Sequence, residues 1–326
     1  MRAAFYSHQG PARDVLAVGD QPTPQPGVGE VRVRLRSSGV NPSDWKIRQG
    51  GQGRYLIAPL IIPHSDGAGY IDAVGPDVAD RKGERVWIWN GQWQRAQGTA
   101  AEYIVLPSAQ AVYLPDTTSY AEGACLGIPV LTALQAVRLA NVKPGMTVLV
   151  AGGAGSVAHY AIQILKRKGV RVITTISGDA KATHARAAGA NDTINYRNEN
   201  VANRVKALTS GQGVEAVIEM DFAGNAGCYP AILQSHATVV VYGTSALETT
   251  IPSLWLMLNS ITLRMFLVYD ISDADRQAGI AELTDLLQHK RLNHTIARHL
   301  PLSEIVEAHE LGQHGETIGN IILDIP

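Results

Sequence analysis

Two hydrophobic rhythms divide the chain near residue 118. Before it, apolar and polar residues alternate in short runs such as Val31-Arg32-Val33-Arg34-Leu35, the period-two signature of half-buried strands. Segments 84–89 and 102–105 read the same way, with Trp87 and Trp89 expected on one face. Turn residues punctuate these runs: Pro22, Pro24 and Pro26, the pair Gly50-Gly51, and the glycines between 67 and 75. From about Ser119 the pattern lengthens. Residues 120–139 are helical in parts, interrupted at Pro129. Runs at 147–151, 170–176, 192–196, 216–220, 237–242 and 261–267 predict strands. Helical spacing predicts a helix beyond Ser156, one over 200–208 and one near 227–233. This alternation predicts an α/β fold with a doubly wound parallel sheet of six strands. Beyond residue 270, helices are expected over 273–288 and 302–311, with a strand over 319–324 returning to the first domain. The expected domains are 1–118 with 269–326, and 119–268.

One stretch carries chemistry by its spacing. Gly153-Ala154-Gly155-Ser156-Val157-Ala158 lies between a β-branched run and a helix whose apolar stripe is Val157, Ala161, Ile164 and Leu165. It fits the G-x-G-x-x-G/A dinucleotide fingerprint of the Rossmann fold in the context that gives the motif meaning. The glycines permit a tight turn and close approach of backbone to a pyrophosphate, which exposed N–H groups at the helix start then meet. The bland alternative is a glycine-rich turn with no ligand. The second strand ends Ile176-Ser177-Gly178 without the acid that binds a ribose 2′-hydroxyl, and Lys181 follows. A hydroxyl, open backbone and a lysine suit the 2′-phosphate of NADPH. Asp179 cuts against that, and Lys181 could equally be a solvated helix residue.

Composition narrows the class. The 326 residues are 45% hydrophobic and 17% charged with net charge −1, an ordinary globular balance with no electrostatic footprint for nucleic acid or anionic membrane. The N-terminus lacks an apolar signal core. Residues 254–268, the nearest approach to a membrane span, are interrupted by Asn259, Ser260 and Arg264, so a cytoplasmic protein is expected. Two cysteines, Cys125 and Cys228, can form neither a disulfide framework nor a four-cysteine zinc site.

Longer motifs carry a resemblance. GVNPSDWKIRQG (39–50), IPHSDGAGYIDAVG (62–75), ERVW (84–87), TAAEY (99–103), GIPVLTAL (127–134), VIEM (217–220), EAHE (307–310) and TIGNIIL (317–323) join the nucleotide loop. With these the chain resembles the medium-chain dehydrogenase/reductases, and within them the zinc-free quinone oxidoreductase (zeta-crystallin-like) group. The resemblance implies a GroES-like catalytic domain beside the Rossmann domain, NADPH in the cleft between them, and a homodimer or homotetramer paired through the last Rossmann strand.

Zinc-dependent relatives carry a Cys after the glycine matching Gly39 and a His in a Gly-His-Glu segment. Here Val40 and Asn41 hold the first place. Pro63-His64-Ser65-Asp66 holds the second, with His64 one position early, where the family usually has Gly, and read as a cleft-edge or structural histidine. No metal site is expected. Without a Lewis acid to polarise a carbonyl, the hydride acceptor must already be electrophilic: a quinone or an α,β-unsaturated carbonyl.

The resemblance also assigns residues. Asn41 lies near nicotinamide and substrate, or is simply a turn residue before Pro42. Tyr55 is a candidate donor to a developing oxyanion, or an ordinary loop tyrosine. Lys46 stands where relatives often have a cofactor-contacting tyrosine, and Asp44 is read as a capping or salt-bridging residue rather than a base. Thr132 backs the nicotinamide; Gly152, Gly153, Ala154, Gly155, Ser156 and Val157 hold the pyrophosphate. Ser177, Lys181 and Tyr196 match the 2′-phosphate group. Gly243 and Thr244, then Phe266, Leu267 and Val268, match backbone contacts to ribose and nicotinamide. Glu316 and Asn320 occupy positions where relatives often have a basic residue. Trp87, Trp89 and Trp93 are core, or an apolar wall for a flat substrate, mainly through Trp93. The functions in play are an NADPH-dependent quinone reductase, a reductase of activated C=C bonds (2-alkenal, enone or substituted acrylate), and a nonenzymatic dinucleotide- or RNA-binding protein of crystallin type. Near-zero charge and the intact nucleotide loop weigh against the last.

Overall fold

The computed structural model describes every residue but Gln52 and Glu316, and it divides into two compact units, 1–128 with 284–326, and 129–283. In the first unit β1 (Arg2–Phe5) and β2 (Ala17–Asp20) form an antiparallel pair linked through helix α1 (Ala12–Val15). Strand β3 (Glu30–Val40) buries Val31, Val33 and Leu35 completely. Its opposite face carries Arg32 and Arg34, which pair with Asp72 and Glu102 and lie over the Tyr103 ring. Helix α2 (Pro42–Gln49) follows, then β4 (Asp66–Val74), β5 (Arg85–Ile88), β6 (Tyr103–Pro107), β7 (Ala111–Tyr113) and the short helix α3 (Tyr120–Gly123). Strand β3 is long because two partners share one of its edges: β6 along residues 30–34, and the chain's last strand along 37–40.

The second unit alternates as its hydrophobic rhythm predicts. Helix α4 (Leu131–Leu139) leads to β8 (Thr147–Val150), α5 (Ser156–Arg167), β9 (Arg171–Ile176), α6 (Asp179–Ala188), β10 (Asp192–Asn195), α7 (Val201–Leu208) and β11 (Val214–Glu219). Two short helices, α8 (Phe222–Asn225) and α9 (Tyr229–Ile232), precede β12 (Leu233–Val241). Next come α10 (Ser253–Leu258) and β13 (Thr262–Met265), and α11 (Asp273–Gln288) ends the run, the second unit closing within it at 283/284 rather than at the expected 268/269. The six strands are all parallel, in the order β10-β9-β8-β11-β12-β13. The reversal between β8 and β11 is the switch point where open α/β sheets bind ligands. Buried Leu149, Ile173, Ile194, Val217 and Val239 form the core on one face of this sheet.

The chain then returns to the first unit through β14 (Ile296–Pro301), α12 (Ile305–His314) and β15 (Asn320–Asp324). Strand β15 pairs antiparallel with β3 and parallel with β14, giving the sheet order β14-β15-β3-β4-β5-β7. The returning strand is found as expected, while β14 has no counterpart in the sequence pattern. A single helix near 227–233 is likewise replaced by a 3₁₀ turn and α9, with β12 starting at Leu233. The units divide later than the rhythm changes, at 128/129 rather than 118/119, because residues 119–128 pack on the first unit's sheet: Ala124 carbonyl abuts Gly39, and Ile128 N–H bonds Asp66. No helix among the described residues is long and apolar enough to cross a membrane.

Candidate active site

In the second unit the nucleotide loop follows β8 as a strand-to-helix turn. Gly152 has φ +68°, where an L side chain is strained, and Met220 Sδ fills the space a Cβ would need. The Gly152 N–H donates to Thr175 Oγ1 at 2.9 Å and the Gly153 N–H to the Thr175 carbonyl at 2.9 Å, fastening the loop to β9. A Cβ on Gly153 would strike the Thr174 side chain. Gly155 is the N-cap of α5, no side chain caps that helix, and a Cβ on Gly178 at the start of α6 would meet nothing. The first N–H groups of a twelve-residue helix are therefore left for an anion. Ala154 is buried, while Ser156 and Val157 stay half-exposed at the loop's rim.

Beside this loop, Ser177 and Lys181 follow β9, and Tyr196 sits next to that strand's end through its N–H to the Ile176 carbonyl at 3.1 Å. Ser177 and Lys181 are half-buried; the Tyr196 side chain is 53% exposed. Gly243 lies against the Met220 carbonyl, Thr244 turns its hydroxyl to the Ala246 carbonyl, and the Phe266 N–H bonds the Val241 carbonyl. Leu267 is exposed, and buried Val268 accepts from Arg276 at 2.6 Å. Thr132 on α4 is buried, yet its hydroxyl has no hydrogen-bond partner among the described residues. An orphaned hydroxyl, an uncapped helix start and glycines where side chains cannot fit are the features a dinucleotide would satisfy, so these residues fit NADPH.

The first unit contributes side chains. Asn41 is buried, and its Nδ2 donates to Asp66 Oδ2 at 2.9 Å, an oxygen that also accepts from the Ile128 N–H at 3.0 Å. Asp44 Oδ2 accepts from the Asn41 N–H at 2.7 Å, the capping one of its two expected roles. Burial pushes the Asp66 carboxyl up to about 7 and holds Asp44 well above the usual carboxylate range. Asp66 Oδ1 is buried without a hydrogen-bond partner among the described residues. Lys46 is half-buried on α2, its Nζ 5.6 Å from the Trp45 ring centre, and Tyr55 is 80% exposed in the following loop. Asn320 bonds the Thr295 carbonyl through both its main-chain N–H and its Nδ2, a strand-end contact; Glu316 lies outside the described residues. Trp87 is a fully buried core residue, and Trp89 and Trp93 are half-buried.

Asp66 and the residues behind it were not singled out as functional by sequence reasoning. The available signal was His64: a histidine in a place the family gives to glycine, and the backbone there has φ +77°. Its two ring nitrogens are engaged by Ser38 Oγ and His309 Nε2, each at 2.9 Å. Cys125 is buried and turns its thiol to the Ala121 carbonyl. Among the described residues no group of three or more His, Cys, Asp or Glu is placed to hold a metal ion, so these donors do not fit a zinc centre.

Known proteins agree with this geometry. Residues 27–116 match the alcohol dehydrogenase GroES-like domain and residues 156–287 the family described as zinc-binding dehydrogenase. These two matches on a split β unit and a six-stranded parallel unit define the medium-chain dehydrogenase/reductase class. Within that class the chain belongs to the quinone oxidoreductase family: the quinone oxidoreductase of Rattus norvegicus is 31% identical over 226 residues, 69% of this chain and 67% of that one. A solved mycobacterial protein complexed with NADPH is 29% identical with a TM-score of 0.89, covering 99% of this chain and 100% of its own. A solved NAD-dependent alcohol dehydrogenase is 28% identical with a TM-score of 0.90, covering 100% of both.

Proposed function

We propose that this chain is a metal-independent, NADPH-dependent oxidoreductase that reduces a quinone. The observation carrying this reading is the uncapped start of α5 behind Gly152 and Gly153, an anion cradle of main-chain N–H groups on a switch-point sheet. NADPH supplies the hydride; the chain's own residues bind, orient and shield. The α5 N–H groups bind pyrophosphate, and Ser177, Lys181 and Tyr196 favour a 2′-phosphate over a bare hydroxyl. Thr132 offers its orphaned hydroxyl to the nicotinamide side, and Gly243, Thr244 and residues 266–268 give it backbone contacts. Asn41, held by Asp66, orients the reacting pair; Lys46 and Tyr55 are donors to oxygen charge developing on the acceptor. Among the described residues no donor set is placed to hold a Lewis-acid metal, and an acceptor that is already electrophilic fits such a site.

Lys46 also favours a second reading, reduction of an activated C=C bond, because an ammonium stabilises an enolate oxygen. The deciding experiment follows NADPH and NADH absorbance on chelator-dialysed protein with a benzoquinone, a naphthoquinone and a 2-alkenal. Preferred oxidation of NADPH by the quinones supports the first reading, and by the alkenal the second; a protein inert with all three is no reductase of this kind.

The same reading makes the enzyme a cytoplasmic homodimer paired through β13. Among the described residues that strand has a neighbour on one side only, with Met265 exposed, and Leu254, Met257 and Leu258 of α10 are exposed as well. Cys125 and Cys228 are not joined in a disulfide, which suits a reducing compartment. Light scattering should return twice the 34.9 kDa chain mass; a monomer at working concentration overturns the pairing.

A further inference from the structure

His64 is fully buried in a left-handed backbone conformation that glycine adopts freely and histidine does not. What holds it there is a chain of hydrogen bonds confined to the first unit. Arg48 Nε lies 3.3 Å from His309 Nδ1, His309 Nε2 lies 2.9 Å from His64 Nε2, and His64 Nδ1 lies 2.9 Å from Ser38 Oγ. Ser38 Oγ is 2.8 Å from Thr99 Oγ1, which donates to the Asp66 carbonyl at 2.6 Å. The imidazole centres are 5.1 Å apart with planes 20° from parallel, the spacing of rings meeting edge to edge through N–H···N.

One end fixes every proton. A guanidinium only donates, so His309 Nδ1 is a lone pair and its proton sits on Nε2. That proton points at His64 Nε2, so His64 carries its own on Nδ1 and donates to Ser38. The Ser38 hydroxyl then donates to Thr99, and Thr99 to the Asp66 carbonyl. Arg48 is itself pinned by the Gly10 carbonyl and Gln313 Oε1. Neither imidazole has a spare lone pair, in accord with burial pushing His64 down to about 3 and with burial, then the neighbouring His64 and Arg48, holding His309 well below its usual range. The chain ends on a main-chain carbonyl, which cannot pass a proton onward. It therefore orients rather than conducts.

We propose that His64 and His309 are positioning residues: their one-way hydrogen-bond chain, polarised by Arg48, clamps the Asp66 main chain so that the accepting oxygen of the Asp66 carboxyl group holds the Asn41 amide in its working orientation. This rests on the reading in which Asn41 borders the reacting nicotinamide.

Nitrogen-15 NMR of the imidazoles, combined with kinetics of two variants, tests it. The wild type should show His64 protonated on Nδ1 and His309 on Nε2, with neither titrating between about pH 5 and 8. His309→Phe should lose about tenfold in kcat with KM for NADPH little changed. His309→Gln restores the polarity, because its carbonyl accepts from Arg48 while its NH₂ donates to His64, and it should recover most of that loss. The opposite tautomers, or a histidine titrating in that range, overturn the chain itself. A folded His309→Phe with unaltered kcat, or a His309→Gln no better than Phe, overturns the positioning role. If none of the three acceptors is reduced by NADPH with the wild type, the functional reading falls, and the NMR still decides the hydrogen-bond chain.

Discussion

The two units build their polar sites by opposite means. In the second unit the anion-facing groups are the main-chain N–H groups of the uncapped first turn of α5, presented by the tight turn 152–155 after β8, whose own N–H groups are used to hold the loop in place. In the first unit Ser38, Asn41, Arg48, His64, Thr99 and His309 converge on Asp66 from β3, α2, two loops and α12. A main-chain site depends on where side chains are absent. A side-chain site depends on every member being present, since each buried group left unpaired costs about 1–3 kcal/mol. The first should fail when bulk is added, the second when a partner is removed.

The largest effect expected from this contrast is at Gly153. A valine there collides with Thr174 and displaces the loop from β9. Gly153→Val should weaken NADPH binding by about 100-fold, roughly 3 kcal/mol of overpacking. Fluorescence titration of NADPH reads it directly; binding within a few-fold of wild type would remove the loop from the site.

That loop was also the most legible part of the chain. The six parallel strands follow from apolar spacing, because a doubly covered parallel strand needs a continuous apolar run, and the fingerprint between β8 and α5 from the spacing of its glycines. The last strand's return to the first unit was legible, its antiparallel pairing with β3 was not. Strand β12 was less visible. Leu233 pairs with Val214, but polar Gln234, Ser235 and His236 follow before the apolar run resumes, and His236 has φ +66° at the irregularity. Strand β14 was invisible for a related reason: its Ala297, Arg298 and His299 show no alternation, and it owes its place to β15. At the first unit's site, Asn41 was reachable by resemblance, but Asp66 with its hydrogen-bond chain was not. The partners Ser38, His64 and His309 are far apart in sequence, and only His64 announces itself, accepting about 1 kcal/mol of left-handed strain in exchange for two buried hydrogen bonds.

A smaller effect sharpens the other half of the comparison. Burial keeps the Asp66 carboxyl protonated up to about pH 7 in the folded chain, against an ordinary value of 3.8. Between those values the folded state binds more protons than the unfolded one, so this group's contribution to stability falls as pH rises from about 4 to 7 and then levels off. Asp66→Asn stays neutral throughout and can still accept from Asn41 and Ile128. It should flatten the fall in urea midpoint over that window, leaving a residual slope of the same sign from buried Asp44. An unchanged slope would mean that Asp66 is ionised in the fold.

The central claim, hydride transfer from NADPH to an acceptor that needs no metal, is tested most directly by the chelator-dialysed arm of the acceptor assay with a naphthoquinone. The account predicts an NADPH oxidation rate equal to that of untreated protein and insensitive to added zinc. Activity lost on dialysis and restored by zinc would contradict it.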